Sequence, residues 1–226
     1  MSISMTDLGV RLGDTQVLHD ITGTLTARTI AVVGENGSGK STFARVLGGL
    51  IPRSSGELSI LGLDPARHGR ELRRRVAFVF SNPDAQIIMP TVAEDAAFSL
   101  RADKLPAAQV KERVAQSLEK YGLTALADRS PHDLSGGQKQ LLAVCGAMIR
   151  QPELVIADEP TGYLDARNAR IIADHLLGGD HQLILVTHDL ALARRCEQAL
   201  YIHDGCIAAA GSPDTVVAAY EKSLQC

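Results

Sequence analysis

The sequence predicts an α/β fold, in which a mostly parallel sheet is combined with an N-terminal antiparallel β subdomain and an inserted α-helical subdomain. Short apolar, β-branched runs recur along the chain with helical stretches between them, which is typical of strands buried on both faces of a parallel sheet. The first 27 residues instead alternate turn residues with short strand-like pieces, as in an antiparallel meander. Residues 92–150 are rich in alanine and place apolar residues at helical spacing.

Five runs are predicted as strands, and proline marks the helical boundaries. Pro106 and Pro131 divide the helical block, and Ser212-Pro213 predicts the N-cap and first residue of a C-terminal helix. We expect one domain over 1–226, with 1–80 and 151–226 as the α/β core and β subdomain, and 81–150 as an inserted segment and helical lobe. The strand runs are TIAVVG (29–34), VAFVF (76–80), LVIAD (154–158), LILVTH (183–188) and ALYIHDG (199–205).

Composition excludes several classes of function. A net charge of −3 gives no basic field for nucleic acid, and the single dense basic run, Arg70–Arg75, is expected to be a solvated helix face. No signal sequence or membrane-length apolar run is visible, so we expect a soluble chain whose membrane role depends on partners. The cysteines form no CxxC pair, which argues for reduced thiols and against zinc or disulfides: Cys145, Cys196, Cys206 and Cys226.

A glycine-rich loop, GENGSGKST, follows the apolar run IAVV and precedes a helical stretch. In this context the GxxxxGK[ST] pattern predicts a nucleoside triphosphate site, because the backbone N–H groups can point at phosphate oxygens. Lys40 would contact the β- and γ-phosphates, and the Ser41 hydroxyl would bind Mg²⁺. The predicted binding residues are Gly34, Asn36, Gly37, Ser38, Gly39, Lys40, Ser41 and Thr42.

Two acidic residues and a histidine end later strands of the predicted sheet. Asp158 can hold a Mg²⁺-bound water, and Glu159 can orient or deprotonate the attacking water. An acidic pair at a strand end is by itself commonly a turn or cap, and the phosphate loop upstream favours the catalytic interpretation. His188, at the end of LILVTH, is either structural or a hydrogen-bond partner of the γ-phosphate and water.

The segment LSGGQKQ (134–140) makes the chain resemble the ATP-binding-cassette (ABC) ATPases along its whole length. The resemblance implies ATP as substrate, Mg²⁺ as cofactor, and a head-to-tail dimer, here expected to be a homodimer. In such a dimer one chain's SGGQ segment binds the ATP held by the other, and a dimer loop joins the two sites. It also implies that His188 is the switch histidine. The matching residues are Ser135, Gly136, Gly137 and Gln138 for the signature, and Asp165 for the dimer loop.

Two positions depart from the family pattern. Leu12 stands where an aromatic residue usually stacks on adenine, and Ser81 stands where a glutamine usually reaches Mg²⁺. A serine hydroxyl is too short to reach the metal without an intervening water. Gln86 is a candidate substitute, and otherwise Ser41, phosphate oxygens and waters can complete the Mg²⁺ shell. We therefore expect slower or more partner-dependent hydrolysis.

The segment NPDAQIIMPTVAEDAAFSL (82–100) resembles that of the energy-coupling-factor (ECF) ATPases, where it receives a helix of a membrane subunit. Ile87, Ile88 and Met89 would be an exposed apolar surface for such a helix, or else core of the helical lobe. Asp84, with Glu94 and Asp95, would pair with basic residues of the partner. The expected coupling residues are Asn82, Asp84, Ile87, Ile88 and Met89.

The same wording, with serine before NPD, resembles most closely the ATPase subunits of proteobacterial biotin uptake systems. Cobalt or nickel uptake is the nearest alternative, followed by another importer or exporter cassette, a soluble cassette acting on nucleic acid, and a binding cassette that does not hydrolyse. The implied partners are a transmembrane scaffold subunit and a membrane-embedded substrate-binding subunit, with no nucleic acid. The implied location is peripheral, on the cytoplasmic side of the bacterial inner membrane.

Overall fold

The computed structural model describes residues 2–224, which form two compact units. The first unit contains the described residues up to Ala77, then Glu153–Glu159, then the described residues from Asp180 onward. The second unit contains Phe78–Pro152 and Pro160–Gly179. The chain therefore leaves the first unit twice, once on each side of the strand that ends at Asp158.

An antiparallel sheet of three strands opens the first unit. Strand β1 (Ile3–Leu12) lies between β2 (Thr15–Leu25) and β4 (Ser55–Ile60). The predicted antiparallel meander is confirmed, but β1 and β2 are long strands where short pieces were expected. Asp7 and Asp20 have positive φ angles, and the β1–β2 register shifts along the pair, so irregular positions interrupt long strands.

The main sheet has the strand order β5-β6-β7-β3-β8-β9, and the first two residues of β5 belong to the first unit. Every residue of β3, β6 and β7 is buried, as the continuous apolar runs predict. All five predicted strand runs are confirmed, whereas β9, which runs antiparallel to β8, was not predicted. The strands are β3 (Thr29–Val33), β5 (Val76–Val79), β6 (Leu154–Asp158), β7 (Gln182–Val186), β8 (Gln198–His203) and β9 (Cys206–Gly211).

Parallel pairing aligns the carboxyl ends of three central strands. Thr29 pairs with Leu183 between β3 and β7, and Asp158 pairs with Val186 between β6 and β7. The residues that follow β3, β6 and β7 are therefore brought to one edge of the sheet. Four helices complete the unit: α1 (Lys40–Leu47), α2 (Pro65–Arg75), α7 (Leu190–Ala193) and α8 (Pro213–Ser223).

The second unit is helical, as its alanine-rich sequence predicts. Ser135 begins the third helix of this unit with a capping box, in which its hydroxyl accepts from the Gln138 N–H while the Gln138 side chain accepts from the Ser135 N–H. Short 3-10 turns connect the main helices. The helices are α3 (Val92–Phe98), α4 (Ala107–Lys120), α5 (Gly136–Met148) and α6 (Ala166–Leu177).

Several smaller expectations are confirmed. Ser212 caps α8, since its hydroxyl accepts from the Thr215 N–H at 3.4 Å. Most of the Arg70–Arg75 run is a solvent-exposed face of α2, and only Leu72 within it is buried. Among residues 2–224, no helix combines the length and apolarity needed to cross a bilayer. The cysteines at 145, 196 and 206 are free thiols, and Cys226 lies outside the described residues.

Candidate functional site

The phosphate loop joins β3 to α1 in the first unit. At two of its positions the φ angle and the neighbouring atoms leave room only for glycine. Gly34 has φ 150°, and a Cβ atom there would collide with the carbonyl oxygen of Ile202. Gly39 is the N-cap of α1 with φ 106°, and a Cβ atom there would lie 2.7 Å from Leu18 Cδ2. The loop thus passes close to neighbouring backbone and ends at the amino end of α1, which favours an anion.

The Lys40 side chain is held inside this loop. Its Nζ donates hydrogen bonds to the carbonyl oxygens of Gly34 at 2.8 Å and Glu35 at 2.6 Å, and the residue is only 7% exposed. Burial lowers the pKa of the ammonium, and the nearby carboxylates of Glu159 and Asp158 oppose that shift. A positive charge is therefore positioned at the loop before any nucleotide binds. The Glu35 carbonyl is a contributor that the side-chain pattern did not reveal.

Ser38 carries a buried hydroxyl without a hydrogen-bond partner among the described residues. A buried hydroxyl without a hydrogen bond costs free energy, and a phosphate oxygen can accept the hydrogen bond that it donates. Asn36 and Gly37 are exposed at the tip of the loop, and Thr42 is buried in the first turn of α1. The loop therefore fits a phosphate chain, with Lys40 supplying charge and Ser38 a free donor.

The Ser41 hydroxyl and the Asp158 carboxylate lie together beside the loop. The Ser41 hydroxyl donates to Asp158 Oδ1 at 3.0 Å, and Asp158 is 6% exposed at the end of β6. Burial raises the pKa of Asp158, while the Ser41 hydrogen bond and the charges of Arg45 and Lys40 act against the rise. A hydroxyl and a carboxylate at this spacing are the hard oxygen donors that Mg²⁺ prefers, so the residues present fit the ion.

Glu159 and His188 meet at the same sheet edge. The His188 Nδ1 atom lies 2.7 Å from Glu159 Oε2, and the His188 backbone N–H reaches the same oxygen at 3.4 Å. Glu159 has φ 50°, an unusual backbone region for a glutamate, and its N–H donates to the Val186 carbonyl at 3.0 Å. The strained backbone and the two donors fix where the carboxylate points. Such a carboxylate can accept a proton from water, with the imidazole orienting it.

The predicted signature and dimer-loop residues lie together in the second unit. Ser135 and Gly136 are exposed at the amino end of α5, while a Cβ atom on Gly137 would lie 2.6 Å from the Asn168 side chain. Asp165 caps α6, since its carboxylate accepts from the Asn168 N–H at 2.9 Å and from Asn168 Nδ2 at 2.7 Å. The close approach at Gly137 joins the amino ends of α5 and α6 and leaves the Ser135–Gly136 end open.

Ser81 and Gln86, the two residues weighed as metal contacts, both lie in the second unit. The Ser81 side chain is half-buried and makes no hydrogen bond to another described residue. The Gln86 amide is held at both ends: Nε2 donates to the Ala143 carbonyl at 2.9 Å, and Oε1 accepts from the Phe80 N–H at 3.4 Å. Moving the Gln86 amide to a metal ion would break both hydrogen bonds. This counts against Gln86 as a replacement for the glutamine that the family usually carries at position 81.

The coupling segment, residues 82–100, makes more hydrogen bonds and ion pairs within the second unit than its sequence indicates. Asp84 pairs with Lys139 of α5 at 2.7 Å, and the Asn82 side chain accepts from the Asp84 N–H at 3.0 Å. Asp95 is 8% exposed and accepts from the N–H groups of Ile88 and Met89. Asp84 and Asp95 therefore already have partners within the unit, and the pairing of these acids with basic residues of a membrane subunit stays a prediction.

The apolar trio divides between surface and interior. Ile88 is 62% exposed, whereas Ile87 and Met89 are half-buried, so Ile88 is the main apolar surface of the trio. A groove of about 330 Å³ lies beside Met89 and is lined mainly by apolar residues such as Phe98 and Leu105, together with Glu94, Arg101 and Lys104. In the first unit, Leu12 ends β1 and is 45% exposed, so it is accessible to a ligand.

The fold and the phosphate loop together define a nucleotide-binding ATPase. The ABC transporter family model matches residues 18–162, so the chain belongs to that family. Its members couple ATP hydrolysis to transport, and the chain is accordingly a transporter ATPase with ATP as its substrate.

Three relatives cover nearly all, or most, of the chain. A Deinococcus radiodurans protein, described only as an ABC transporter ATP-binding protein, is 44% identical over 92% of each chain. The biotin transport ATP-binding protein BioM of Rhizobium etli is 37% identical over 98% of this chain and 99% of its own. The energy-coupling factor transporter ATP-binding protein EcfA1 of Lacticaseibacillus paracasei is 36% identical over 83% of this chain and 69% of its own.

A solved structure supports the same fold. The cbiO1 protein of Clostridium perfringens, described as part of the ABC transporter complex cbiONQ, superposes with a TM-score of 0.86 at 29% identity. The match covers 99% of this chain and 93% of that chain. The α/β architecture with its antiparallel and helical additions is therefore confirmed.

Proposed function

We propose that this chain is the ATP-hydrolysing subunit of an ECF-type vitamin uptake transporter and that the vitamin is biotin. The observation that carries the proposal is the near end-to-end similarity to BioM, at 37% identity. The similarity to EcfA1 supports the ECF type, and the NPD segment supports a membrane subunit as its partner.

In this function the phosphate loop binds ATP through Lys40, the Ser38 hydroxyl and the amino end of α1. Ser41 and Asp158 would hold Mg²⁺, which neutralises charge on the phosphate oxygens when bound. Glu159 accepts a proton from the water that attacks the γ-phosphorus, and the bond to the leaving oxygen of ADP breaks. The imidazole of His188, 2.7 Å from Glu159, keeps the carboxylate in place and contacts the γ-phosphate.

A second copy of the chain would complete each nucleotide site. Exposed Ser135 and Gly136 at the open end of α5 suit a phosphate held by the partner, because a hydroxyl and a helix amino end together favour an anion. Gln138 completes the capping box behind them and Asp165 stiffens the start of α6. Two ATP molecules would close the homodimer, and hydrolysis would reopen it.

The coupling segment would transmit this closure to the membrane. Ile88 offers exposed apolar surface, Ile87 and Met89 border it, and the Asp84–Lys139 pair with Asn82 shapes the adjacent turn. An amphipathic helix of a transmembrane scaffold subunit fits a surface of this kind. The scaffold would in turn bind a membrane-embedded subunit that carries the vitamin, so the ATPase would be peripheral on the cytoplasmic side of the inner membrane.

An uptake assay tests the proposal. Cells that depend on this transporter should lose labelled biotin uptake when Lys40→Met replaces the native chain, whereas Arg67→Ala, on an exposed face of α2, should leave uptake intact. Loss of cobalt or nickel uptake with unchanged biotin uptake would favour the metal-ion alternative. Unchanged uptake of all three cargoes in Lys40→Met would contradict a transport function.

A further inference from the structure

Three side chains of the kinds that bind metals lie together on the first unit, and none of them is among the residues assigned above. His19 and Asp20 belong to β2, and Cys206 begins β9. The Cys206 Sγ atom lies 3.1 Å from His19 Nδ1, and Asp20 Oδ2 lies 3.0 Å from the same nitrogen. One ligand atom from each residue lies within 4.8 Å of the others. Solvent reaches the cluster, since the His19 and Asp20 side chains are 44% and 85% exposed.

The second nitrogen of the imidazole is held by the backbone. His19 Nε2 lies 3.0 Å from the carbonyl oxygen of Asp204, so that nitrogen carries the proton it donates. The arrangement turns Nδ1 towards the sulfur and the carboxylate, where it donates to Asp20 Oδ2, and a bound metal ion would replace that proton. Histidines that bind metals commonly donate their other ring N–H to a carbonyl or carboxylate in this way, which fixes the ring and its tautomer. His19 is thus oriented as a ligand.

We propose that His19, Asp20 and Cys206 form a binding site for a divalent transition-metal ion, with Zn²⁺ as the natural occupant. A thiolate, an imidazole and a carboxylate are the ligand types that Zn²⁺ takes. Zinc–ligand bonds of about 2.0–2.3 Å place tetrahedral ligand atoms roughly 3.3–3.7 Å apart, so the sulfur and the carboxylate oxygen, 3.1 Å and 3.0 Å from Nδ1, would each move slightly away from that nitrogen. Mg²⁺ and Ca²⁺ prefer all-oxygen sites, which separates this cluster from the Ser41–Asp158 pair.

The cluster adjoins the phosphate loop. The Gly205 N–H donates to the Ser38 carbonyl at 3.1 Å, and the His19 N–H donates to the Gly205 carbonyl at 3.1 Å. An ion bound by His19 and Cys206 would therefore tie β2 to the turn that supports the loop. The site itself does not depend on the proposed transport function. The sequence predicted no zinc site because Cys206 lies 187 positions from His19 in the chain and the three residues share no motif.

Cobalt spectroscopy on the full-length chain tests the proposal. The protein is stripped of metal, kept reduced and free of nucleotide, and titrated with Co²⁺ and then with competing Zn²⁺. One Co²⁺ per chain should bind with a thiolate-to-cobalt charge-transfer band, and Zn²⁺ should abolish it. Co²⁺ at Ser41 and Asp158 would produce no such band, because that pair contains no sulfur.

Variants separate the site from other thiols. Cys206→Ser should remove the band, and Cys226→Ala should keep it. His19→Gln and Asp20→Asn should each weaken Zn²⁺ binding at least about 10-fold, since even a change behind a ligand commonly costs about 10–100-fold. Asp20 has φ 52°, a region that asparagine tolerates, so Asp20→Asn tests the carboxylate without disturbing the strand. The absence of the band in the native chain, its persistence in Cys206→Ser, or native affinity in both other variants would overturn the proposal.

Discussion

The His188 imidazole lies 2.7 Å from the Glu159 carboxylate, although 29 positions separate the two residues in the chain. Parallel pairing places Asp158 of β6 beside Val186 of β7 at the ends of the two strands. Glu159 and His188 follow shortly after these two residues, and their side chains therefore meet. Glu159 is the less exposed partner, with 23% of its side chain accessible against 66% for His188. The carboxylate is therefore already positioned, and the imidazole remains open to a ligand.

Replacing Glu159 with glutamine should abolish hydrolysis while leaving ATP binding intact. The amide keeps the size of the side chain but cannot accept the proton of the attacking water. We expect turnover to fall by about 100- to 10,000-fold, the range that a positioned general base contributes. Phosphate release and ATP affinity should be measured on the same preparation, with Glu112→Gln, on an exposed position of α4, as the matched control. Native turnover in Glu159→Gln would remove the carboxylate from the mechanism.

Replacing Ser38 with alanine should weaken ATP binding without destabilising the nucleotide-free protein. The buried hydroxyl lacks a partner among the described residues, so its removal should leave the free energy of unfolding unchanged or raise it by up to about 1 kcal/mol. A hydrogen bond to a charged phosphate contributes roughly 1.5–3 kcal/mol, so ATP affinity should fall about 10- to 100-fold. Calorimetric titration and thermal unfolding measure the two effects. Ser54→Ala is the control for ATP affinity, because the Ser54 hydroxyl accepts from the Arg11 N–H in the antiparallel sheet. A less stable free protein with native ATP affinity would contradict this account of the loop.

Replacing Ser81 with glutamine should increase ATP hydrolysis, most clearly at limiting Mg²⁺. The longer side chain restores the amide that the family usually carries at this position, whereas the Gln86 amide is already bonded to Ala143 and Phe80. Turnover should be measured across a Mg²⁺ series, with Ser81→Ala as the comparison. Identical rates for the native chain and Ser81→Gln at every Mg²⁺ level would show that the serine does not slow ATP hydrolysis.

Stability should respond to acid through Asp64, which pairs with Arg53 and caps α2. The Arg53 guanidinium, followed by the Ala66 N–H, lowers the pKa of this carboxyl from 3.8 to about 2. A carboxyl with a lowered folded-state pKa stabilises the protein above its unfolded pKa, and that contribution disappears as the pH falls from about 4 towards 2. Asp64→Asn should therefore reduce stability at neutral pH, and the difference from the native chain should shrink over that acid range. Denaturant unfolding at several pH values, with Asp14→Asn as control, measures it; a difference that does not change with pH would contradict the assignment.

Much of the fold is predictable because burial imposes a simple pattern. The runs at 29–33 and 154–158 are buried throughout and apolar apart from Thr29 and Asp158, because both faces of these strands are covered. Strand β9 escaped prediction since CIAAAG is rich in alanine and pairs only at the sheet edge, where few side chains are buried. The long strands β1 and β2 contain positive φ angles at Asp7 and Asp20, which composition does not reveal.

The site was predictable at the level of residues but not of contacts. The loop, Asp158, Glu159 and His188 carry recognisable motifs, whereas the hydrogen bonds among them depend on strand register. Asp84 shows this difference. Its position beside apolar residues indicated an ion pair with a basic residue of a partner, whereas in the structure it pairs with Lys139 of the same chain. The cluster of His19 and Cys206 gave no signal, because tertiary structure alone brings its members together.

If this ATPase drives an ECF-type transporter, its membrane partners should be recovered together with it. The tagged chain should be isolated from its native membranes in mild detergent, with mass spectrometry of the recovered proteins and small ligands. We predict a multi-span scaffold protein and a second membrane protein carrying biotin, with recovery lost in Ile88→Asp and retained in Leu224→Asp, another exposed apolar position. A subunit carrying metal ions would preserve the mechanism and replace the cargo. Recovery of soluble proteins or nucleic acid alone would contradict the claim.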